Sequence, residues 1–498
     1  MSLINISDLT FSYDGSSENV FENVNLQLDT NWKLGLTGRN GRGKTTLLRL
    51  LTGELRGSGT ISSQVEFEYF PYHVEYPEMF TIDIIREIAP EADDWEIYRE
   101  MSLLKIGRDA DYQQFCTLSG GEQAKAMLVG LFLRRNSFLL IDEPTDHLDS
   151  NGRRILGQYM SRKKGFIIVS HDRMLLDECT DHILSIDRCG ISLQKGNYSD
   201  WQRSKDMQDS FEFAMNEKLK KDIKHLEAAA RRTAEWSDKA ERAKIGFDPM
   251  KVEKNISRRP NEAAKAKKIM SRSTAISERR EKAVREKSGL LKNIEQTAEL
   301  KLMPLEFHSR RLLQLEKISL SYGGRIVCSG VDLTVMQGER IALTGGNGCG
   351  KSSILRLVNG ENIEHSGLVV RNGQLKISYV PQKSDHLHGS LREYAELLGI
   401  EVSLFFAVLR KLGFSRELFE RNMASFSAGQ KKKVLIAGSL CERAHLYIWD
   451  EPLNYIDIIS RIQIEKLILE SRPTIIFVEH DEAFRKKIAD KVIEIGMR

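Results

Sequence analysis

Gly38-Arg39-Asn40-Gly41-Arg42-Gly43-Lys44-Thr45 decides how this chain is read. It stands between two apolar runs, residues 32–36 and 46–51, which read as a strand and a helix. The spacing G-x-x-x-x-G-K-[S/T] at a strand-to-helix turn lets backbone N–H groups curl around phosphate oxygens, because glycine reaches backbone angles that other residues avoid. Lys44 is expected to reach the β and γ phosphates of a nucleotide, Thr45 to hold Mg²⁺, and Thr46 to sit beside them. The pattern returns as Gly345-Gly346-Asn347-Gly348-Cys349-Gly350-Lys351-Ser352, with Ser353 next, between a strand at 340–343 and a helix at 353–358. Lys351 and Ser352 take the corresponding roles.

The match extends outward from these loops. Phe11-Ser12-Tyr13 pairs with Leu320-Ser321-Tyr322, and Leu118-Ser119-Gly120-Gly121-Glu122 with Phe426-Ser427-Ala428-Gly429-Gln430. Asp142-Glu143-Pro144 pairs with Asp450-Glu451-Pro452, and Ser170-His171-Asp172 with Glu479-His480-Asp481. Matches in one order at one offset mark two homologous domains, residues 1–204 and 306–498, separated by residues 205–305. Apolar strands at 138–141, 166–169, 446–449 and 474–478 alternate with helical stretches, which implies an α/β fold with a mainly parallel sheet. Asp142 and Asp450, at strand ends, are candidate metal ligands. Glu143 and Glu451 are candidates to orient or deprotonate an attacking water.

Composition bounds the rest. The chain has 498 residues, enough for several domains, and is 41% hydrophobic and 29% charged, which suits a soluble protein. No apolar run approaches the ~20 residues of a membrane helix. The N-terminus lacks a signal-peptide pattern. Six scattered cysteines suit reduced thiols, and a cytoplasmic location is expected.

Charge is uneven. Residues 201–300 hold 25 Lys+Arg and 17 Asp+Glu, a net of +8, while the chain is +4, so the remainder sums to −4. Met215, Leu219, Ile223, Leu226 and Ala230, and later Ile269, Ile276, Ala283 and Leu290, recur at helical spacing. Gly246 to Pro249 and Pro260 break the pattern. A helical hairpin is expected, with a basic tip near 242–259 carrying Arg242, Lys244, Lys251, Lys254, Arg258 and Arg259, and with Phe247 available to stack. Such a concentration of one sign suits a polyanionic target.

Through Leu118–Gln123 and Phe426–Gln430 the chain resembles the ATP-binding cassette superfamily. That resemblance implies two P-loop cassettes sandwiched head to tail within a monomer. Gly38–Thr45 would face Ser427, Ala428, Gly429 and Gln430 across one ATP. Gly345–Ser352 would face Ser119, Gly120, Gly121 and Glu122 across the other. Tyr13 and Tyr322 would stack on adenine, Gln382 would join Asp142 and Asp450 at Mg²⁺, and His171 and His480 would address the γ-phosphate. Asp149 and Asp457 would lie in loops linking the sites.

Two fused cassettes, no membrane segment and a long helical linker resemble the ABC-F group, whose members act on ribosomes. The long linker and the short segment from Pro71 to Leu118 look like its antibiotic-resistance branch, with Lsa-type members most similar. The resemblance implies a cytoplasmic ATPase on the 70S ribosome, contacting 23S rRNA and P-site tRNA. It would protect the peptidyl transferase region from lincosamides, streptogramin A and pleuromutilins, entering at the tRNA exit site and leaving on hydrolysis. A housekeeping ABC-F translation factor is the nearest alternative. A transporter motor lacks such a linker, and a chromosome or repair ATPase carries longer coils. Departures bear on the sites: Tyr72 stands where the family commonly has glutamine, and Ala428 replaces a glycine. Unequal turnover at the two sites is expected.

Overall fold

The computed structural model describes residues 2–15, 19–107, 109–146, 148–187, 190–245, 302, 304–323 and 325–496. Met1–Trp201 and Thr297–Arg498 form one compact unit, and Gln202–Gln296 form a second.

In the N-terminal repeat, β1 (Leu3–Phe11) and β2 (Phe21–Asp29) lead into β3 (Lys33–Gly38) and α1 (Lys44–Thr52). Then come β4 (Ser58–Ser62), β5 (Glu66–Phe70), α2 (Thr81–Ile88), α3 (Asp94–Leu103), α4 (Gly120–Leu133) and β6 (Ser137–Asp142). The repeat closes with α5 (Ser150–Met160), β7 (Phe166–Val169), α6 (Arg173–Cys179), β8 (His182–Asp187) and β9 (Gly190–Lys195). The main sheet has the order β5-β6-β7-β3-β8-β9 and is parallel except at the β8–β9 edge. A second, antiparallel sheet runs β2-β1-β4.

The C-terminal repeat begins with β10 (Arg311–Tyr322), β11 (Arg325–Met336), β12 (Arg340–Thr344), α8 (Lys351–Asn359), β13 (His365–Arg371) and β14 (Ile377–Val380). It continues through α9 (Leu391–Leu397), α10 (Val402–Lys411), α11 (Ala428–Cys441), β15 (Leu446–Asp450) and α12 (Ile458–Ser471). It ends with β16 (Ile475–Val478), α13 (Glu482–Ile488) and β17 (Lys491–Glu494). Its parallel sheet is β14-β15-β16-β12-β17, beside an antiparallel β11-β10-β13 sheet. The expected parallel sheet is therefore one of two in each repeat.

The central strands are apolar on both faces because helices and the second sheet cover them. Phe138, Leu140 and Ile141 on β6, and Tyr447 and Ile448 on β15, are fully buried. Each such side chain contributes about 1.5–3 kcal/mol by leaving water. These strands deliver their polar C-terminal residues to one edge of the sheet, where loops diverge and ligands gather.

The expected boundary at residue 204 falls inside a continuous helix. Here α7 runs without interruption from Tyr198 to Ile245, 48 residues, or about 72 Å at about 1.5 Å per residue. Ile245 is the last described residue of this stretch, and the break expected at Gly246 lies outside the described residues. In the expected stripe Leu219 is buried whereas Met215 is exposed. Arg242 and Lys244 lie on the backbone of its last described turn, while Phe247, Lys251, Lys254, Arg258, Arg259 and the expected return helix lie outside the described residues. No described helix is long and apolar enough to cross a membrane.

Candidate nucleotide sites

The two glycine-rich loops are built alike. Gly43 and Gly350 precede α1 and α8 with φ of 92° each, in the left-handed region. At Gly43 a Cβ would lie 2.6 Å from Val20 and 2.9 Å from Phe21. Side chains are thus excluded there by both conformation and space. Lys44 and Lys351 are buried, and each folds back over its own loop. Lys44 Nζ donates to the carbonyls of Gly38 (2.8 Å) and Arg39 (3.2 Å) and to Asn40 Oδ1 (3.2 Å). Lys351 Nζ donates to the carbonyls of Gly345 (2.9 Å) and Gly346 (2.8 Å). These ammonium groups are held at the lip of a phosphate-sized loop by weak acceptors that an anion can replace.

The acid pairs stand beside them. Thr45 Oγ1 donates to Asp142 Oδ2 at 2.9 Å, and Tyr69 Oη donates to the same oxygen at 3.0 Å. Both oxygens of Asp450 are buried without a well-formed hydrogen bond. Burial pushes this carboxyl up to about 6, the neighbouring Ser352 hydroxyl partly offsetting it. A buried carboxylate next to a hydroxyl at a phosphate loop is an environment that a divalent cation satisfies. The residues present therefore fit Mg²⁺ at both loops.

Glu143 and Glu451 follow these aspartates with φ of 48° and 47°. Left-handed backbone in a non-glycine residue costs about 1–3 kcal/mol, and such strain gathers at functional sites. It is held here by Glu143 N to Val169 O (2.9 Å) and Glu451 N to Val478 O (3.0 Å). His171 Nε2 lies 3.3 Å from Glu143 Oε1, and His480 Nε2 lies 3.4 Å from Glu451 Oε1.

The two glutamates differ electrostatically. Burial, reinforced by Asp146 and Asp142, pushes Glu143 up to about 8. Burial also acts against ionised Glu451, yet hydrogen bonds from His480 and Gln382 and the nearby Lys432 cation hold it at about 2. Asn454 Nδ2 adds a hydrogen bond to Glu451 Oε2 at 2.6 Å. Burial, with Lys44 and Arg461 nearby, keeps His171 neutral, its value well below the usual histidine range. Tyr72, at the position of Gln382 in the repeat, instead packs partly buried against the apolar core of its own domain.

The repeats face one another within their compact unit. One cavity of about 920 Å³ is lined by Ser119, Gly120, Gly121 and Glu122 and by Gly346, Asn347, Gly348 and Gly350 to Ser353. Gln382, Glu451 and His480 line the same cavity. On the other side, Asn40 Nδ2 donates to Tyr455 O at 3.0 Å, and a Cβ on Gly429 would lie 3.6 Å from Asn40 Nδ2. Ser119 and Ser427 cap α4 and α11 by accepting from the backbone N–H of Glu122 and Gln430. Tyr13 and Tyr322 are half-exposed, their hydroxyls tied to Thr46 (2.7 Å) and Ser353 (3.2 Å), so both rings are open to a stacking partner.

The ABC transporter family model matches residues 21–146 and again 328–454, together just over half of the chain. The chain belongs to the ABC transporter family. It carries two of the family's ATP-binding cassettes and is an ATPase. The chain is 26% identical over 492 residues to "Ribosome protection protein VmlR" of Bacillus subtilis (strain 168), covering 97% of this chain and 85% of that protein. It is 23% identical over 529 residues to "Energy-dependent translational throttle protein EttA" of Escherichia coli O6:H1, covering 95% of this chain and 89% of that protein. Among solved structures, the fold resembles a chain in the complex of archaeal ribosomal stalk protein aP1 with archaeal ribosome recycling factor aABCE1. The TM-score is 0.63 with 18% identity, over 99% of this chain and 88% of that one.

Several inter-cassette residues were not singled out by motif. Arg461 Nη1 donates to His171 O at 2.9 Å across the cassettes and to Asp481 at 3.2 Å. Arg173 bridges to buried Glu465, which also meets Lys487 Nζ at 2.9 Å. Arg461 has a repeat partner, Arg153, paired with Asp172 at 3.4 Å. That recurrence was a signal in the sequence. Arg173 and Glu465 have none, since Glu482 and Gly157 occupy the matching positions.

Proposed function

We propose that the chain is a cytoplasmic ABC-F ATPase of the ribosome that protects the peptidyl transferase region of the large subunit from lincosamides, streptogramin A and pleuromutilins. The observation that carries this reading is the extent of the likeness to VmlR, which spans 97% of this chain and so includes the charged segment between the cassettes. The domains are taken as cassettes at 1–204 and 306–498 with a linker at 205–305. The linker's basic excess suits rRNA and P-site tRNA, whose phosphates bind Lys and Arg in a salt-dependent manner.

The chemistry follows from the cassettes. The loops at 38–45 and 345–352 would bind the phosphates of two ATP molecules, and Tyr13 and Tyr322 would stack on adenine. Thr45 with Asp142, and Ser352 with Asp450 and Gln382, would hold Mg²⁺, which neutralises charge on the phosphates when bound. Glu143 and Glu451 would orient water and accept its proton, with His171 and His480 at the γ-phosphate. Ser119–Glu122 and Ser427–Gln430 would close the sites from opposite cassettes. ATP contacts that exist only with the cassettes together favour the closed state, and hydrolysis releases it.

Drug susceptibility with and without the gene tests this reading. The gene is expected to raise the inhibitory concentrations of these classes and of no drug acting elsewhere. The likeness to EttA, over 95% of this chain, favours a second reading as a translation factor. That reading stands if deletion slows growth without changing susceptibility.

A further inference from the structure

Lys432 is a buried cation whose field helps to keep Glu451 ionised, and whose hydrogen bonds go elsewhere. Its side chain is on α11, the helix that begins at the Ser427–Gln430 signature, and the residue is 2% exposed. Nζ donates to three backbone carbonyls: Pro381 at 2.8 Å, Gln382 at 2.9 Å and Asp450 at 3.3 Å. The first two belong to the loop whose Gln382 side chain enters the cavity; the third ends β15 at the candidate metal ligand. Three elements thus converge on one ammonium, whose three donors match three acceptors. Burying a cation is unfavourable, and burial pulls this one down to about 8, with Glu479, Asp450 and Glu451 opposing.

The other cassette lacks the arrangement. At the repeat offset of the signatures, 308 residues, Lys432 corresponds to Ala124; with Tyr69-Phe70-Pro71 matched to Tyr379-Val380-Pro381, Gln382 corresponds to Tyr72. The glutamine and the lysine that holds its loop occur together, in one cassette only.

We propose that Lys432 is a positioning residue for the second nucleotide site, fixing Gln382 and Asp450 to the helix whose N-terminus serves the first site. This rests on the assignment of Gln382 and Asp450 to Mg²⁺. Placement of the signature at one site would then be felt by metal-binding groups at the other, through a single side chain and three carbonyls. Lys432 is not among the residues that line the cavity.

The test is the half-saturating Mg²⁺ concentration, read both as ATPase rate and as Mg²⁺-dependent retention of a fluorescent ATP analogue without turnover, in two backgrounds. Glu143→Gln leaves the second site to turn over, and Glu451→Gln leaves the first. Adding Lys432→Met to the Glu143→Gln protein is expected to raise the half-saturating Mg²⁺ about tenfold, as loss of a group that orients metal ligands does. The midpoint in the Glu451→Gln protein is expected to stay unchanged. Lys432→Gln, which keeps a donor, is expected to recover part of the loss, and it carries the test if the methionine variant does not fold. Equal shifts in both backgrounds, or none in either, overturn the role. A failed site assignment looks different: the two glutamate variants would keep the parent rate before Lys432 is touched, and the proposal falls with it.

Discussion

Glu143 and Glu451 occupy matching places and the same strained backbone, yet one is held up at about 8 and the other down at about 2. A base must lose its proton to act, so a raised value delays activity to higher pH. With Glu451→Gln, turnover rests on Glu143 and is expected to rise about tenfold from pH 7 to pH 9, as the ionised fraction grows through its titration. With Glu143→Gln, turnover rests on Glu451, ionised throughout, and should be nearly flat over that range. Parallel pH–rate profiles would contradict the electrostatic difference. At Gly43, alanine meets both positive φ and the Val20 side chain, and forcing it there costs at least about 1–2 kcal/mol. Gly43→Ala is expected to weaken ATP binding by tenfold or more in a nucleotide titration, and unchanged affinity would refute the steric argument. At this scale the phosphate-loop, acid and histidine positions were legible because their chemistry demands fixed residue types at fixed spacing. Lys432 was not, because it acts on backbone carbonyls that no residue type announces.

Among elements, the contact between α6 of one cassette and α12 and α13 of the other is unequal. Arg173 at the start of α6 bridges to Glu465 on α12, whose side chain is fully buried and whose remaining cation is Lys487 of α13. Removing one partner from a buried pair leaves charge uncompensated. Arg173→Met is expected to destabilise the protein by about 3 kcal/mol in denaturant unfolding, with Glu465→Gln in the same background restoring part of it. An unaltered midpoint in Arg173→Met would show that Lys487 suffices. The strands at 32–36, 138–141, 166–169, 340–343, 446–449 and 474–478 and the helices at 46–51 and 353–358 were readable from apolar runs to within a few residues, and the other cassette helices were not placed. The antiparallel sheets β2-β1-β4 and β11-β10-β13 were visible only as short β-like segments; β2 and β11 directly follow β1 and β10, whereas β4 and β13 join from beyond the phosphate-loop helix, which local sequence does not show. The start of α7 at Tyr198 was missed, since nothing in Gln202 to Lys205 breaks a helix. Tyr72 matched a metal-site position by alignment, but its ring has an apolar core to join and packs there.

For the whole molecule, the repeat made two homologous cassettes legible, while their facing arrangement was what the resemblance to the ATP-binding cassette superfamily implied. The proposed role of that arrangement rests on the segment between them. Shortening residues 243–257 is expected to abolish drug protection while ATPase activity survives, measured on the same preparation and strain. Full protection by the shortened protein would remove the tip from the account. The most direct measurement is sedimentation of the Glu143→Gln, Glu451→Gln double variant with 70S ribosomes. With ATP and Mg²⁺ present, the variant is expected to travel with ribosomes and to leave them as salt rises. A variant that binds ATP yet stays in the supernatant at low salt would contradict the claim that nucleotide-driven closure serves ribosome binding.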